Sequence, residues 1–351
     1  MSFFRQHKIL LISLFLLLMV SFLLFWFLIV PPSGTSSNRM LTVKRGMSFR
    51  SIAAMLEKEG IIRNKDLFII MATLLQKTGT IKAGEYEFPP KMSSLKVLDT
   101  LIKGQVKQHL ITVPEGYTLS QIAQLLEDSG IVNKSAFLQK VSSPSFIASL
   151  GLSDHLLMPS RPPSKQDGSL TLEGYLFPDT YHLIKEMEPE EVIRIMVQQF
   201  QKTFGPELIE RASQLRMHPF EVVTLASIIE KETSLPEEKP LISAVFHNRL
   251  KIRMPLQSDP TVIYGIKNFD GNLTKEHLLK STPYNTYLFG GLPPTPICNP
   301  GKASIQAALY PASVPYLYFV SKNDGSHHFS TNLEEHQRAV AKFQKNPLEK
   351  K

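Results

Sequence analysis

From Ile9 to Val30 the chain carries no charge and is drawn almost entirely from Leu, Ile, Phe, Val and Met. At a rise of about 1.5 Å per residue the run spans roughly 33 Å, the thickness of a bilayer's hydrocarbon core. It predicts one transmembrane helix over residues 9–30, with the remaining chain folding apart from it. A cleaved signal peptide is the alternative, but the run is too long for one, and Pro31-Pro32-Ser33-Gly34 offers no small-x-small cleavage site. Arg5, His7 and Lys8 flank its start, so residues 1–8 are expected to stay in the cytoplasm as a short tail. Everything after Pro31 is then exported from a single-pass protein of the plasma (inner) membrane, with Trp26 in the outer interface and residues 31–40 as a linker.

Composition narrows the function. The single cysteine, Cys298, excludes an intramolecular disulfide framework and a multi-cysteine metal site. A net charge of +8 suits an anionic polymer or a phospholipid surface. Nucleic acid also fits the charge, but no binding motif or basic-aromatic array accompanies it. His327, His328 and His336 lack the spacing of a helical zinc pair, and neither a Gly-x-Ser-x-Gly elbow nor a phosphate-cradling glycine loop occurs. No metal and no cofactor is expected.

An internal repeat follows the linker. Val43-Lys44-Arg45-Gly46-Met47-Ser48 with Ile52-Ala53, Leu56-Glu57 and Gly60-Ile61 reappears as Val113-Pro114-Glu115-Gly116-Tyr117-Thr118 with Ile122-Ala123, Leu126-Glu127 and Gly130-Ile131. Each copy reads as a strand, a glycine turn, a capping hydroxyl, an amphipathic helix and a glycine stop. The element looks LysM-like, which would let the first copy hold a glycan containing N-acetylglucosamine; the simpler reading is two β–α units that pack together. Met158-Pro159-Ser160-Arg161-Pro162-Pro163-Ser164-Lys165-Gln166-Asp167-Gly168 is read as a loop, either a substrate-gating lid or a surface excursion. Beyond it the sequence predicts an amphipathic helix or pair over Glu190–Leu215, a helix opened by Pro219, a helix around Leu241–Leu250, then short strands and turns. The last helix, Leu333–Gln344, closes an α+β domain.

The helix from Pro219 ends on Ile228-Ile229-Glu230-Lys231-Glu232-Thr233. Carboxylates at a helix C-terminus oppose the dipole, and the apolar run before them removes water; both effects raise a carboxyl pKa, as a general acid working near neutral pH requires. A solvated terminus is the plainer meaning of Glu-Lys-Glu. Periodicity does not choose between the two acids, although small Ala226 and Ser227 one turn before Glu230 would leave room for a ligand. Leu256-Gln257-Ser258-Asp259-Pro260-Thr261-Val262-Ile263-Tyr264-Gly265 reads as a polar turn followed by a strand.

These blocks, with Phe246-His247-Asn248-Arg249-Leu250, Tyr284-Asn285-Thr286-Tyr287, Gly291-Leu292-Pro293-Pro294, Asn299-Pro300-Gly301, Tyr316-Leu317-Tyr318-Phe319-Val320 and His328-Phe329-Ser330-Thr331-Asn332, closely resemble the YceG-like family of endolytic murein transglycosylases. The upstream block Leu172-Glu173-Gly174-Tyr175-Leu176-Phe177-Pro178-Asp179-Thr180-Tyr181 is similar as well. The repeat places a LysM-like subdomain at residues 41–108, and the resemblance implies a mixed α+β catalytic domain at 109–346. It implies peptidoglycan glycan strands as substrate, proximity to peptidoglycan synthases, and Glu230 as the catalytic acid. Ser258 and Cys298 stand at positions expected to vary.

In that reading the bond between N-acetylmuramic acid and N-acetylglucosamine breaks when Glu230 protonates the leaving oxygen. The same carboxylate then takes the proton of the sugar's 6-hydroxyl, which closes a 1,6-anhydro ring. Ser227, Gln257, Asp259, Tyr264, Asn285 and Tyr287 are the candidate substrate-binding residues. Asp259 is also the candidate base of a water-using muramidase, and its plainer meaning is a turn. A non-catalytic wall-binding scaffold is the remaining alternative.

Overall fold

The computed structural model describes residues 2–31, 37–79, 81–152 and 171–345. The architecture is mixed α+β, and the chain divides into two compact units, residues 1–110 with 182–187 and residues 111–181 with 188–351.

In the first unit, α1 (Ser2–Leu28) covers the apolar run, and its described side chains such as Leu11 and Phe15 are exposed. Side chains at several of its positions, including 20, 23, 24, 27 and 28, lie outside the described residues. Among the described residues no helix is long and apolar enough to cross a membrane. The C-terminal end of α1 is held by Arg63, whose guanidinium lies 5.4 Å from the Trp26 ring centroid and donates to the Pro31 carbonyl at 2.7 Å.

The rest of this unit runs β1 (Arg39–Val43), α2 (Phe49–Lys58), α3 (Lys65–Leu74), β2 (Gly84–Phe88) and α4 (Ser94–Ile102). Glu85 and Glu87 alternate with buried Tyr86 and Phe88, the period-2 pattern of a strand with one face on a core. The strands pair antiparallel with Leu41 opposite Tyr86. Ser48 caps α2 by accepting from Ser51 N–H, and Ile52, Ala53 and Leu56 form the helix's buried face. Leu56 is fully buried, so Leu56→Ala costs about 2–5 kcal/mol.

The second copy of the repeat, most of it in the second unit, has the same order: β3 (His109–Thr112), α5 (Leu119–Asp128), α6 (Lys134–Val141), and β4 (Thr180–Leu183), which pairs with β3. The structural repeat is longer than the sequence repeat, because Asn64 and Asn133 each cap a further helix, α3 and α6. Then come α7 (Pro144–Ala148), α8 (Pro189–Thr203), α9 (Pro206–Gln214), α10 (Pro219–Glu232), α11 (Lys239–Lys251), α12 (Asp259–Tyr264), α13 (Lys275–Leu279) and α14 (Lys302–Leu309). The hairpin of β5 (Tyr318–Ser321) and β6 (His327–Ser330) precedes α15 (Leu333–Val340), which passes into a π turn at Ala341–Lys345.

One element corrects the sequence reading. The segment after Ser258 is not a strand but the helix α12. Thr261, Val262 and Ile263 favour a strand locally, but Asp259 and Pro260 occupy the first helical turn, where a carboxylate and a missing N–H are both favourable. Thr261 Oγ1 donates back to Ser258 O at 2.7 Å and closes that turn. The segment Met158–Gly168, read as a lid or excursion, lies outside the described residues.

Candidate active site

Helix α10 is the axis of the second unit. Pro219 stands in its first turn, the Glu221 carboxylate accepts from His218 N at 2.8 Å, and His218 Nδ1 accepts from Phe220 N at 3.2 Å. All residues from Val222 to Ile229 are buried, as in a helix covered on every side, and α14 packs along it. Its side chains first meet space at the C-terminal end, where Thr233 leaves the helical conformation. Glu230 and Glu232 emerge there into different surroundings.

Both oxygens of Glu230 are occupied as acceptors. Lys239 Nζ, on a residue only 3% exposed, donates to them at 3.1 and 3.2 Å. Gly301 N at 3.0 Å and Ser304 Oγ at 2.7 Å both donate to Oε2. Glu115, from the turn of the second repeat, brings its carboxylate to 3.9 Å from the same ammonium. Burial, and then the Glu230 charge, push the Glu115 pKa up, while Lys239 pulls it down. The loop passes close by because Gly301 has no side chain: a Cβ there would fall on the Glu115 carboxylate.

Glu232 has no such cation bonded to it. Its Oε1 accepts from Ser258 Oγ at 2.5 Å. Desolvation pushes its pKa up to about 7; the Asp259 charge adds to the rise, and the Ser258 hydrogen bond and the Arg249 charge oppose it. A carboxyl group with that pKa holds a proton near neutral pH and can also release it.

The polar block after α11 is pinned beside Glu232. Buried Arg249 donates to the carbonyls of Leu317 at 2.7 Å, Leu256 at 2.9 Å and Pro255 at 3.1 Å, and to Gln257 Oε1 at 3.3 Å. Gln257 is exposed with φ +53°, a strained conformation for a side-chain-bearing residue, secured by its N–H to Thr286 O at 3.1 Å. Asp259 is exposed, and its Oδ1 accepts from the Tyr287 hydroxyl at 2.6 Å.

The candidate residues therefore separate. Gln257, Asp259 and Tyr287 gather on the solvent side of the block that reaches Glu232 through Ser258. Ser227 is fully buried and has no room beside it for a ligand. It donates to Thr224 O at 2.7 Å and accepts from Ile297 N at 3.0 Å, so the loop before Asn299 fills the space that its small side chain leaves. Asn285 is also fully buried, holding the carbonyls of Leu278 at 3.0 Å and Lys280 at 2.8 Å. The Tyr264 hydroxyl points away to Glu173 Oε2 at 3.1 Å.

Glu173 is a second unusual carboxyl. It is 3% exposed, and burial pushes its pKa up to about 8 against the opposing hydrogen bonds from Leu119 N, Tyr264 and Asn299. Asn299 in turn holds Tyr117 O at 2.9 Å and Leu176 N at 2.9 Å. The start of α5, the Leu172 block, α12 and the loop into Gly301 thus meet at one buried acid.

Sequence reasoning passed over Lys239, Ser258, Ser304 and Glu115. Pro-Glu-Glu-Lys-Pro reads as a solvated helix start, and nothing local says that Lys239 is buried. Glu115 carried a readable signal, since it departs from Arg45 at the matching position of the repeat. Among the described residues there is no cluster of three or more His, Cys, Asp or Glu side chains that could hold a metal ion.

The YceG-like family pattern matches residues 41–342. An endolytic murein transglycosylase of Bacillus subtilis (strain 168) is 32% identical over 316 residues, covering 89% of this chain and 86% of its own length. A protein of the same name from Streptococcus pneumoniae (serotype 2, strain D39) is 32% identical over 329 residues; the match takes in 88% of this chain but 59% of that longer protein. The crystal structure of a YceG-like protein from Listeria monocytogenes superposes with a TM-score of 0.60 at 32% identity, over 87% of this chain and 99% of that one.

Proposed function

The chain belongs to the YceG-like family, and from that premise we propose that it is a membrane-anchored endolytic murein transglycosylase. It cleaves the β-1,4 bond between N-acetylmuramic acid and N-acetylglucosamine, leaves 1,6-anhydro ends, and by cutting nascent strands close to the membrane limits glycan polymerisation. The observation that carries the reading is the pair of unequal carboxyls at the end of α10. We assign the proton to Glu232 rather than to Glu230, the acid that the family resemblance alone suggests. Glu230 already accepts from Lys239, Gly301 and Ser304. Glu232 carries a pKa of about 7 and has only the Ser258 hydroxyl bonded to it.

Glu232 protonates the glycosidic oxygen as the bond to the anomeric carbon breaks, then accepts the proton of the 6-hydroxyl as that oxygen closes the anhydro ring. Gln257, Asp259 and Tyr287 orient the sugars, and the Asp259 carboxylate supports developing positive charge at the anomeric carbon. The anchor is residues 9–30, and residues 41–108 serve as the LysM-like glycan-holding element. A water-using muramidase is the second reading, favoured by the charge of Asp259 beside Glu232. Mass spectrometry of peptidoglycan digests separates the two. Anhydro ends produced by the wild type and by a refolded Glu230→Gln protein, but not by Glu232→Gln, support the assignment. Reducing ends select the muramidase, and cleavage that survives Glu232→Gln overturns the role of this acid.

A further inference from the structure

The first unit carries a shallow surface depression open to solvent. It is lined by Ile61, Phe88, Pro89 and Met92 and by two cations, Arg39 at the start of β1 and Lys91 just after β2. Gly60 lets the guanidinium in: a Cβ there would stand 2.9 Å from Arg39 Nη1. Among the described residues neither cation has a carboxylate within ion-pair distance. Glu87, the acid beside Phe88 on β2, is engaged instead by Asn38 at 2.6 Å and Lys107 at 3.6 Å.

The simplest role for Arg39 would be to neutralise the carbonyl end of α2. That end is already closed: Gly60 N donates to Glu57 O and Ile61 N to Leu56 O, both at 2.8 Å, with Gly60 at φ +64°. The repeat supplies an internal control. The second copy closes its helix in the same way, through Gly130 N to Glu127 O and Ile131 N to Leu126 O, but His109, at the position matching Arg39, is paired to Glu85 at 3.0 Å. An unpartnered cation over the helix stop is therefore peculiar to the first copy, and closing the helix does not require it. The pocket also lies at the opposite end of β1 from the Gly46 turn.

Its place in the unit says what it meets. Gly60 and Ile61 belong to the short α2–α3 turn that continues to Arg63, and Arg63 grips Trp26 and Pro31 where α1 ends. If residues 9–30 span the bilayer, as the proposed function has it, this turn stands at the polar surface of the membrane, where lipid phosphates lie.

We infer that the Arg39–Lys91 pocket binds the phosphodiester headgroup of an anionic phospholipid and holds the first unit against the membrane surface. Arg39 offers its planar fork of N–H donors to the phosphate oxygens, and Lys91 adds a second positive charge.

The test uses the full chain in detergent and in vesicles. Native mass spectrometry after exposure to equal amounts of phosphatidylglycerol and phosphatidylcholine is expected to show retention of the anionic lipid. Arg39→Gln and Lys91→Gln should each lower that retention about tenfold, the loss of one charge-assisted contact, with thermal midpoints unchanged. Equal retention of the two lipids, or variants that retain phosphatidylglycerol like the wild type, overturns the inference. Displacement of the lipid by millimolar inorganic phosphate or glycerol phosphate would assign the pocket to a soluble phosphate and overturn it too. Flotation with pure phosphatidylcholine vesicles reports the anchor separately: a chain that fails to float there but still retains phosphatidylglycerol through Arg39 and Lys91 has lost the anchor reading and kept the pocket.

Discussion

Two carboxyls, two residues apart on one helix, are made chemically unlike by what reaches them from elsewhere in the chain. Glu230 receives a buried ammonium, a backbone N–H and a hydroxyl, whereas Glu232 receives one hydroxyl and the field of a neighbouring carboxylate. Their substitutions should therefore fail in different ways. Glu230→Gln leaves buried Lys239 with only the Glu115 carboxylate, 3.9 Å away, and should cost about 3 kcal/mol of stability, read from urea unfolding; an unchanged midpoint would contradict the structural role. Glu232→Gln breaks no ion pair, so it should remove cleavage without lowering the midpoint. The general acid must be protonated, so the wild-type rate should fall as pH rises through about 7. Two neighbours should move that limb in opposite directions. Ser258 stabilises the charged form, so Ser258→Ala raises the Glu232 pKa and shifts the limb to higher pH. Asp259 destabilises it, so Asp259→Asn shifts the limb to lower pH. A limb that ignores both substitutions would exclude Glu232 as the titrating group.

The helices, their caps and the repeated β–α pattern could be read from sequence because each depends on residues within a few positions of one another. Pro219 and Glu221 announce α10, and Ser48, Thr118, Gly60 and Gly130 bound the repeated helices. The strand expected within Leu256–Gly265 gives way to α12 because local β-propensity is outweighed by a proline and an acid in that helix's first turn. Ser227 was expected to line a ligand site because it is small, but a small residue leaves space that either a ligand or another segment can fill, and here Ile297 and Cys298 fill it. The partners of Glu230 lie 9, 71 and 74 positions along the chain, beyond any periodicity. The loops that bring them in depend on two glycines of different kinds. Gly174 has φ +89°, and a Cβ would stand 2.7 Å from the Pro296 ring and 2.9 Å from Val223. Gly174→Ala should therefore cost about 3 kcal/mol through strain and overpacking together. At Gly301 the obstacle is the mobile end of the Glu115 side chain, and the backbone is extended at φ −76° and ψ 170°. Gly301→Ala should cost less than about 1 kcal/mol while moving Glu115 away from Lys239. Equal losses at the two positions, measured by urea unfolding, would contradict this distinction.

The second unit is held together partly by an acid that resists ionisation, and that ties its stability to pH. Glu173 joins the start of α5, α12 and the loop into Gly301 through Leu119 N, Tyr264 and Asn299. Its folded pKa is about 8 against an ordinary value of 4.5, because burial outweighs the three donors. Below pH 4.5 both folded and unfolded chains hold this proton. Between 4.5 and about 8 the unfolded chain releases it while the folded chain keeps it, so the unfolded state binds fewer protons and stability falls as pH rises; above about 8 the contribution levels off. Glu232, raised to about 7, adds a slope of the same sign that ends one pH unit lower. Thermal unfolding of the full chain from pH 5 to 8.5 should show a midpoint that declines with pH. Glu173→Gln should flatten the upper part of that decline, because an amide cannot titrate, while its oxygen still accepts from Leu119 N and its NH₂ can donate to the tyrosine hydroxyl. Glu232→Gln should flatten only the part below about 7. A wild-type midpoint that does not vary with pH, or a Glu173→Gln protein with the wild-type slope, would mean that this buried acid is charged at neutral pH and that its donors outweigh its burial.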